Sequence, residues 1–495
     1  MGKFNLVIPA AGSATRLKPL SSNISKVMVR VNGKPCLDYI VEAVNGSVEE
    51  IVVVDGKFDD IREYCKIKHP KINFIKQPKL NGPRDAINLG IKKLKNLDMP
   101  LVVWLGDAII LEKDLPLGED FLLTKEVQDQ SSWCMWDGMQ YYNKPKWYIN
   151  DAVALVGLYS FAYGPGAAKA FDETDEYDIS HALENYAEEW GPFQKIVTNK
   201  WYDIGDLPTY YKTCAELLNL KSRAFNNLKF NSELGTIRKT PDYHNSHSIT
   251  TLRNEKMWYE KLTPEQSMFV PRILPHNTDL IMSYESGILL SDLMLYENLP
   301  SSVWDYILEK IFTIKLKYFN DSVNNSKLAN KFSKQSREMW INKNQERLNN
   351  NDNFSRVEKE ILMSYAIDIH KKTRPIEVHH GDFHFGNILY NQSTDQFKLI
   401  DPRGQYGSYV GTLGDNYYDW AKLAHDLHFG YSSLVNDVPH NTVVNTIFIE
   451  KIVKHNLDYD LIIKGGLLLL ATCIPLHYDD KDRQKRMIKK VKDSL

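Results

Sequence analysis

The chain is poor in cysteine: five in 495 residues, at Cys36, Cys65, Cys134, Cys214 and Cys473. They are widely scattered and form no Cys-x-x-Cys pair, which excludes a disulfide framework and a zinc ribbon and points to a reduced, cytoplasmic setting. A charge surplus is missing too, because 61 basic residues nearly balance 63 acidic ones. Bulk attraction to nucleic acid is therefore not expected. No signal-peptide layout precedes the first apolar run, and Met1-Gly2-Lys3-Phe4-Asn5-Leu6 lacks the hydroxyl residue of a myristoylation site. The greasiest stretch, Gly466 to Leu476, is too short to span a bilayer and reads as a buried helix, so no membrane partner is expected. A chain of this length exceeds one hydrophobic core and implies two or three domains.

What is present begins with His380-Gly381-Asp382-Phe383-His384-Phe385-Gly386-Asn387 and, beyond a hairpin with its turn at residues 391–394, Ile400-Asp401-Pro402-Arg403. An Asp and an Asn five residues apart, with a second Asp at the end of an apolar strand, supply the parts of phosphoryl transfer. Asp382 would take the proton of the attacking hydroxyl, and Asn387 and Asp401 would hold Mg²⁺ on the phosphates of ATP. The competing reading is a polar hairpin with a buried histidine. A zinc site at His379, His380 and His384 lacks soft ligands nearby, and His380 is expected to brace the loop through backbone hydrogen bonds.

At the other end, the strand Phe4 to Pro9 delivers Ala10-Ala11-Gly12-Ser13-Ala14-Thr15-Arg16-Leu17, a small-residue loop whose N–H groups can hold a nucleotide. Ser25-Lys26, Gly33-Lys34-Pro35, a helix from Leu37 to Val44 and a buried strand from Ile51 to Asp55 follow. These residues resemble the sugar-phosphate nucleotidyltransferase family. Ala14 stands where that family usually has Gly, a concern only if the loop needs positive φ there, and Ser25 stands where Pro usually precedes the lysine.

The resemblance implies roles for residues over roughly the first 215 positions. Gly82 and Asp85, in Asn81 to Ile87, would join residues 10–15 in binding the nucleotide. Asp107, ending the strand from Pro100, and Asp203, in Trp201 to Asp206, would hold Mg²⁺. Lys144, before the strand Ala152 to Tyr159, would grip the acceptor phosphate, and Arg16 and Lys26 would offset the charge of two anionic reactants. Trp133, Trp136, Tyr141, Tyr142 and Trp147 crowd a segment that could stack on a sugar or enclose a quaternary ammonium, with a dimer surface, and so a homo-oligomer, as the alternative.

After the helix Thr209 to Asn219, Lys221 to Phe225 reads as a joint and a new β pattern begins. Lys239 alternates on a strand, and Glu255 sits on the next helix. Such a pair orients nucleotide phosphates in a kinase fold; a solvated lysine and a surface glutamate compete, and Glu260 is the alternative acid. Leu280 to Gly287 has the character of a hinge between lobes. Residues 333–355 read as an exposed helical insert or mobile loop. Asp415, Asp419 and His425 either line an acceptor pocket or are solvated on a helix. With the loop at 380–387, residues from about 222 onward resemble the aminoglycoside phosphotransferase and choline kinase superfamily. Asn231 to Gly235 departs from it in holding one glycine where a Gly-rich phosphate loop is expected.

The expected fold class is α/β, a doubly wound and mostly parallel sheet over 1–220, followed by a two-lobed α+β kinase-like domain over 221–495 with its small lobe at about 222–285 and its large lobe at about 286–495. The two resemblances together imply a bifunctional transferase: ATP phosphorylates a small sugar, alditol or amino alcohol, and a second nucleoside triphosphate, with CTP weakly favoured over GTP or UTP, then activates the phosphate for surface polysaccharide or lipid assembly. The alternatives are a transferase whose second half only binds or regulates, an antibiotic-modifying kinase, and a scaffold.

Overall fold

Phe4 to Pro9 forms the first strand, β1, and alternates its side chains between two apolar clusters: Leu6 and Ile8 pack on one side, Val7 on the other. Burial on both faces explains why the run is apolar at every position but Asn5, which is itself buried. In the computed structural model, which describes residues 3–495 except 19, 23, 32–33, 45, 175–176, 219–225, 232–233, 298, 324–325 and 393, the chain divides into two units, Met1–Leu217 and Leu218–Leu495. The expected joint at 221–225, Gly33, and Ser232 and Glu233 of the segment compared above with a phosphate loop lie outside the described residues.

Unit 1 is built on a nine-stranded sheet. Its strands include β1, β2 (Val48–Asp55), β3 (Asn73–Lys76), β4 (Leu101–Trp104), β6 (Phe121–Lys125), β7 (Cys134–Trp136), β8 (Tyr141–Asn143), β9 (Val153–Phe161) and β10 (Gln194–Val197), while β5 (Ala108–Ile110) pairs separately with β11 (Trp201–Asp203). The path runs β8-β7-β9-β4-β1-β2-β3, with β6 on β9 and β10 on β6. The sheet is mixed rather than mostly parallel. β3, β2, β1 and β4 run parallel, as β10 does to β6, but β9 is antiparallel to β4, β6 and β7. The cause is visible in the chain between 121 and 161, where no helix separates the strands. Parallel neighbours need a long crossover, and short connections reverse direction. Helix α1 (Pro83–Lys93) starts at Gly82 and packs across β1 and β2.

β9 carries a register break between Leu155 and Tyr159, with Gly157 at φ 88°. A Cβ there would fall 3.0 Å from the Leu105 side chain. This bulge lies beside the carboxyl end of β4, where bulges re-aim side chains.

Unit 2 opens with an antiparallel sheet in the order β12 (Asn226–Asn231), β13 (Thr236–Pro241), β15 (Leu280–Ser283), β14 (Ile273–Leu274), and α2 (Ser246–Glu260) follows β13. A hairpin of β16 (Ile388–Asn391) and β17 (Gln396–Leu399) and mainly helices complete it, among them α3 (Ser301–Tyr318), α4 (Tyr418–Leu427) and α5 (Tyr459–Cys473). Ile288 and Leu289 pair with β16, so the segment expected as a hinge leads from one sheet to the other.

Three expectations are corrected here. Residues 333–355 are largely helical and packed rather than an exposed insert. Trp340, Asn344 and Leu348 are almost fully buried, and the Trp340 indole N–H donates to Asp415. The polar composition hid them: the Asn344 side chain is buried with its Nδ2 donating to the Trp340 carbonyl at 2.8 Å. The apolar run at 466–476 belongs to a longer helical stretch, Tyr459–His477, 19 residues at mean hydropathy 1.6, long enough for a membrane span by length and composition, with 67% of it buried inside the protein. Gly465 and Gly466 lie where any Cβ would strike Ala421 and Ala424 of α4, so the two helices touch closely. Finally, of the two readings open for Asp415, Asp419 and His425, solvation on a helix is excluded, because all three are buried and Asp415 ends a short strand.

Candidate functional sites in the two units

In unit 1 the loop after β1 and the amino end of α1 enclose a cavity of about 350 Å³, lined by Ala10, Ala11, Gly12, Ser13, Ala14, Thr15, Arg16, Lys26, Gly82 and Asp107 among others. A second cavity of about 350 Å³ adjoins it and shares Arg16, Asp107 and Tyr177; Lys144, Asp203, Trp133 and Trp201 line it. Asp107 leaves the end of β4 and Asp203 ends β11, whose register sets Asp203 opposite Ala108. That pairing brings together two carboxylates 96 positions apart in the chain.

Lys26 Nζ lies 2.5 Å from Asp107 Oδ2. Burial would raise the Asp107 carboxyl, and the charge of Lys26 overcomes it and brings the group below its usual range. Asp203 behaves oppositely: burial, then the charge of Asp107, pushes it up to about 6. The two carboxylates are hard oxygen donors close enough for Asp107 to raise Asp203, and Mg²⁺ fits such a donor set together with phosphate oxygens.

Ala14 has φ 48° and Lys144 φ 49°. Apart from Asp and Asn residues, which tolerate this region, they alone among the described non-glycine residues have positive φ. Strain is thus concentrated on the two cavities. Asp85 stands apart from both: its carboxylate accepts from Gln77 Nε2 at 2.9 Å, and Gln77 is the residue that lines the first cavity. Gln77 immediately follows β3, a strand-end position that could have drawn notice; Tyr177, bordering both cavities, follows residues outside the description and gave no motif. The aromatic segment does not form one cluster. Trp133 packs edge-on against Trp201 in the second cavity, Trp136 is buried against Tyr141, and Trp147 is exposed.

In unit 2, Lys239 Nζ lies 2.7 Å from Glu255 Oε2 and 3.1 Å from Asp401 Oδ1, with Lys239 and Glu255 buried. Burial would lower the lysine, and the charges of Asp401 and Glu255 reverse this and raise it. Glu260 instead faces solvent, 3.9 Å from Lys256. Asp401 sits at φ 57° after β17. The loop that carries Asp382 is tied to it: Ile400 N–H donates to the Asn387 carbonyl at 3.0 Å, Arg403 N–H to the His380 carbonyl at 2.9 Å, and Asn387 Nδ2 to the Asp382 carbonyl at 2.9 Å. The Asn387 and Asp401 oxygens, with nucleotide phosphates, are again a set that Mg²⁺ accepts.

His380 Nδ1 receives the Asp382 N–H at 3.3 Å. The larger brace is one that motif reading missed. Asp419 accepts the N–H groups of His380 and Gly381 at 2.9 and 2.8 Å, and Asp426 accepts that of Phe385 at 3.0 Å. Burial would raise the Asp382 carboxyl, but Lys422, Arg403 and His384 hold it well below the usual carboxylate range. Lys422, 2.8 Å from Asp382 Oδ1, also had no sequence signal beyond its place one turn after Asp419 on α4.

A model of the nucleotidyl transferase family matches residues 5–121, ending before Lys144 and Asp203. The bifunctional protein GlmU of Methanocaldococcus jannaschii is 38% identical over 123 residues, 25% of this chain and 28% of that protein. A UTP–glucose-1-phosphate uridylyltransferase of Mycoplasma pneumoniae is 38% identical over 124 residues, 23% of this chain and 41% of that protein. The chain spans about a quarter of the length of the first of these relatives. Among solved structures, a UDP-glucose pyrophosphorylase complexed with UDP-glucose is similar over 45% of this chain and 100% of its own, at 22% identity and TM-score 0.38. A CTP:phosphocholine cytidylyltransferase from Streptococcus pneumoniae is similar over 43% and 99%, at 21% identity and TM-score 0.36.

Proposed function

We propose that unit 1 transfers a nucleotidyl group from a nucleoside triphosphate to a phosphate monoester, of a sugar or small alcohol, and that unit 2 makes such a monoester from ATP. The first reading rests above all on the adjoining cavities that share Arg16 and Asp107, beside a segment matching a nucleotidyl transferase family. The triphosphate occupies the cavity under residues 10–16 and the acceptor phosphate lies near Lys144. An acceptor oxygen attacks the α-phosphorus, the bond to the β-phosphate oxygen breaks, and pyrophosphate leaves. Arg16, Lys26 and Lys144 reduce the repulsion between two polyanions and hold them in line. Asp107 and Asp203 in unit 1, and separately Asn387 and Asp401 in unit 2, would each hold Mg²⁺, which would supply further charge neutralisation to the phosphates.

The second reading is carried by Lys239 between Glu255 and Asp401, on elements hydrogen-bonded to the loop of Asp382. Lys239 grips nucleotide phosphates, Asp382 accepts the proton of the acceptor hydroxyl, and that oxygen attacks the γ-phosphorus as ADP departs.

Purified protein given an alcohol, ATP and CTP, UTP or GTP should release both ADP and pyrophosphate. Asp382→Asn should abolish ADP release and spare pyrophosphate release from a preformed phosphate, and Asp107→Asn should do the reverse. Loss of both products in either variant contradicts two separate sites.

A further inference from the structure

The surroundings of Asp382 are strongly cationic. Lys422 Nζ lies 2.8 Å from Asp382 Oδ1, and Arg403 Nη2 lies 3.5 Å from Oδ2. Lys343, on the helix Lys343–Asn349, donates to the Tyr418 hydroxyl at 3.3 Å and stands 5.6 Å from that ring. Arg347 follows one turn later on the same helix. Among the described residues neither Lys343 nor Arg347 has a carboxylate at ion-pair distance.

The other acids packed nearby are already engaged. Asp419 is taken by Lys315 and two backbone N–H groups, Asp426 by the N–H groups of Phe385 and Ser432, Asp415 by Trp340 and Tyr406, and Glu338 by the Ser408 N–H. Lys422 and Arg403 therefore face the Asp382 carboxylate, while Lys343 at the Tyr418 hydroxyl, with Arg347 one turn further on its helix, adds positive charge that no carboxylate answers. The Tyr418 phenol feels the excess: burial would raise it, yet Lys343, Lys422 and Arg403 bring it below its ordinary value. Lys343 is itself lowered, by burial first and then by Arg403 and Arg347, against the opposing pull of Tyr418.

Clustered cations without counter-charge are costly, and a bound anion relieves the cost. The ATP phosphates have their own lysine, Lys239, paired with Asp401. The excess lies instead with the base that meets the acceptor. We propose that the alcohol phosphorylated by unit 2 itself carries an anionic group, a carboxylate or a phosphate monoester, gripped by Lys343, Arg347 and Arg403 while Lys422 keeps Asp382 turned toward the hydroxyl. The inference rests on the phosphotransfer reading of unit 2. The acceptor O–H loses its proton to Asp382, its oxygen bonds to the γ-phosphorus, and the bond from that phosphorus to the bridging oxygen of ADP breaks. A neutral polyol leaves the positive field unanswered, and an amino alcohol is repelled by it.

The full-length protein with Mg²⁺ and ATP is assayed for ADP release with glycerate and gluconate, with glycerol 3-phosphate, with glycerol and ribitol, and with choline and ethanolamine. Turnover should be confined to the first two arms, and which of them responds identifies the anion. Lys343→Gln and Arg347→Gln should each raise the acceptor KM about tenfold, as expected for one charged contact, and leave the ATP KM within about twofold. A rise in the ATP KM instead assigns the cations to the nucleotide and overturns the proposal, as does turnover of neutral or cationic acceptors or of none of the panel. Whether the phosphotransfer reading falls with it is read separately, from the thermal shift caused by Mg²⁺ and ATP and its loss in Lys239→Met.

Discussion

Lys315 on α3 places its Nζ 2.7 Å from Asp419 Oδ2 on α4, and both side chains are almost fully buried. The same carboxylate holds the backbone of His380 and Gly381, so one ion pair links two helices to the loop that presents Asp382. Replacing Asp419 with Asn keeps the shape but leaves a buried ammonium without its anion. Removing one partner of such a pair costs about 3–5 kcal/mol. Asp419→Asn should lower the unfolding free energy of unit 2 by that order in chemical denaturation. A change under about 1 kcal/mol would mean that water or another group compensates.

Ala14 adopts the left-handed conformation at φ 48°, which costs an L-residue roughly 1–2 kcal/mol and glycine almost nothing. Ala14→Gly should stabilise unit 1 by about 1 kcal/mol and tighten nucleoside triphosphate binding, measured by thermal shift and calorimetry. A lowered melting point would show that the loop gains from alanine in some other way.

Gly157 lines only the second cavity, at the bulge of β9 and against Leu105. Gly157→Ala meets both positive φ and a 3.0 Å contact, for a cost of about 1–2 kcal/mol. The KM for the acceptor phosphate should rise several-fold while that for the nucleoside triphosphate changes little. Equal rises in both would indicate that the two cavities move as one.

His379 is buried against Tyr406 and Gly414. Burial, reinforced by Lys315 and opposed by Asp419, lowers its imidazole from 6.5 to about 4. Between these values the unfolded chain binds a proton that the folded chain refuses, so the unfolded state gains protons and stability falls as pH drops through that window. Denaturant midpoints of the full chain at pH 7, 6 and 5 should decline, and His379→Asn should flatten the decline. An unchanged slope would assign the effect to other groups.

Much of both sites could be read from linear motifs. Residues 10–16, Lys26, Asp107 and Asp203 line adjoining cavities, and Lys239, Glu255 and Asp401 meet directly. Each was legible because its chemistry depends on local spacing: a small-residue loop after a strand, an acid at a strand end, a lysine at period two. Of the residues missed, Gln77 follows a strand end, whereas Tyr177, Lys422 and the Asp419 brace act across distances that no spacing rule covers. The mixed sheet was missed for a related reason, since the direction of β9 follows from the lack of a crossover helix rather than from its own residues.

The loop from His380 to Asn387 draws the same boundary. Its residue types, an Asp and an Asn five positions apart, already suggest a base and a metal donor. Which charges surround Asp382 was decided by folding, which brings Arg403 and Lys422 to it, and Lys343 to the nearby Tyr418, from three separate segments. Short-range pattern encodes the reacting groups. Their ionisation and the acceptor they suit depend on long-range packing, because electrostatic fields sum over everything near in space and ignore order along the chain.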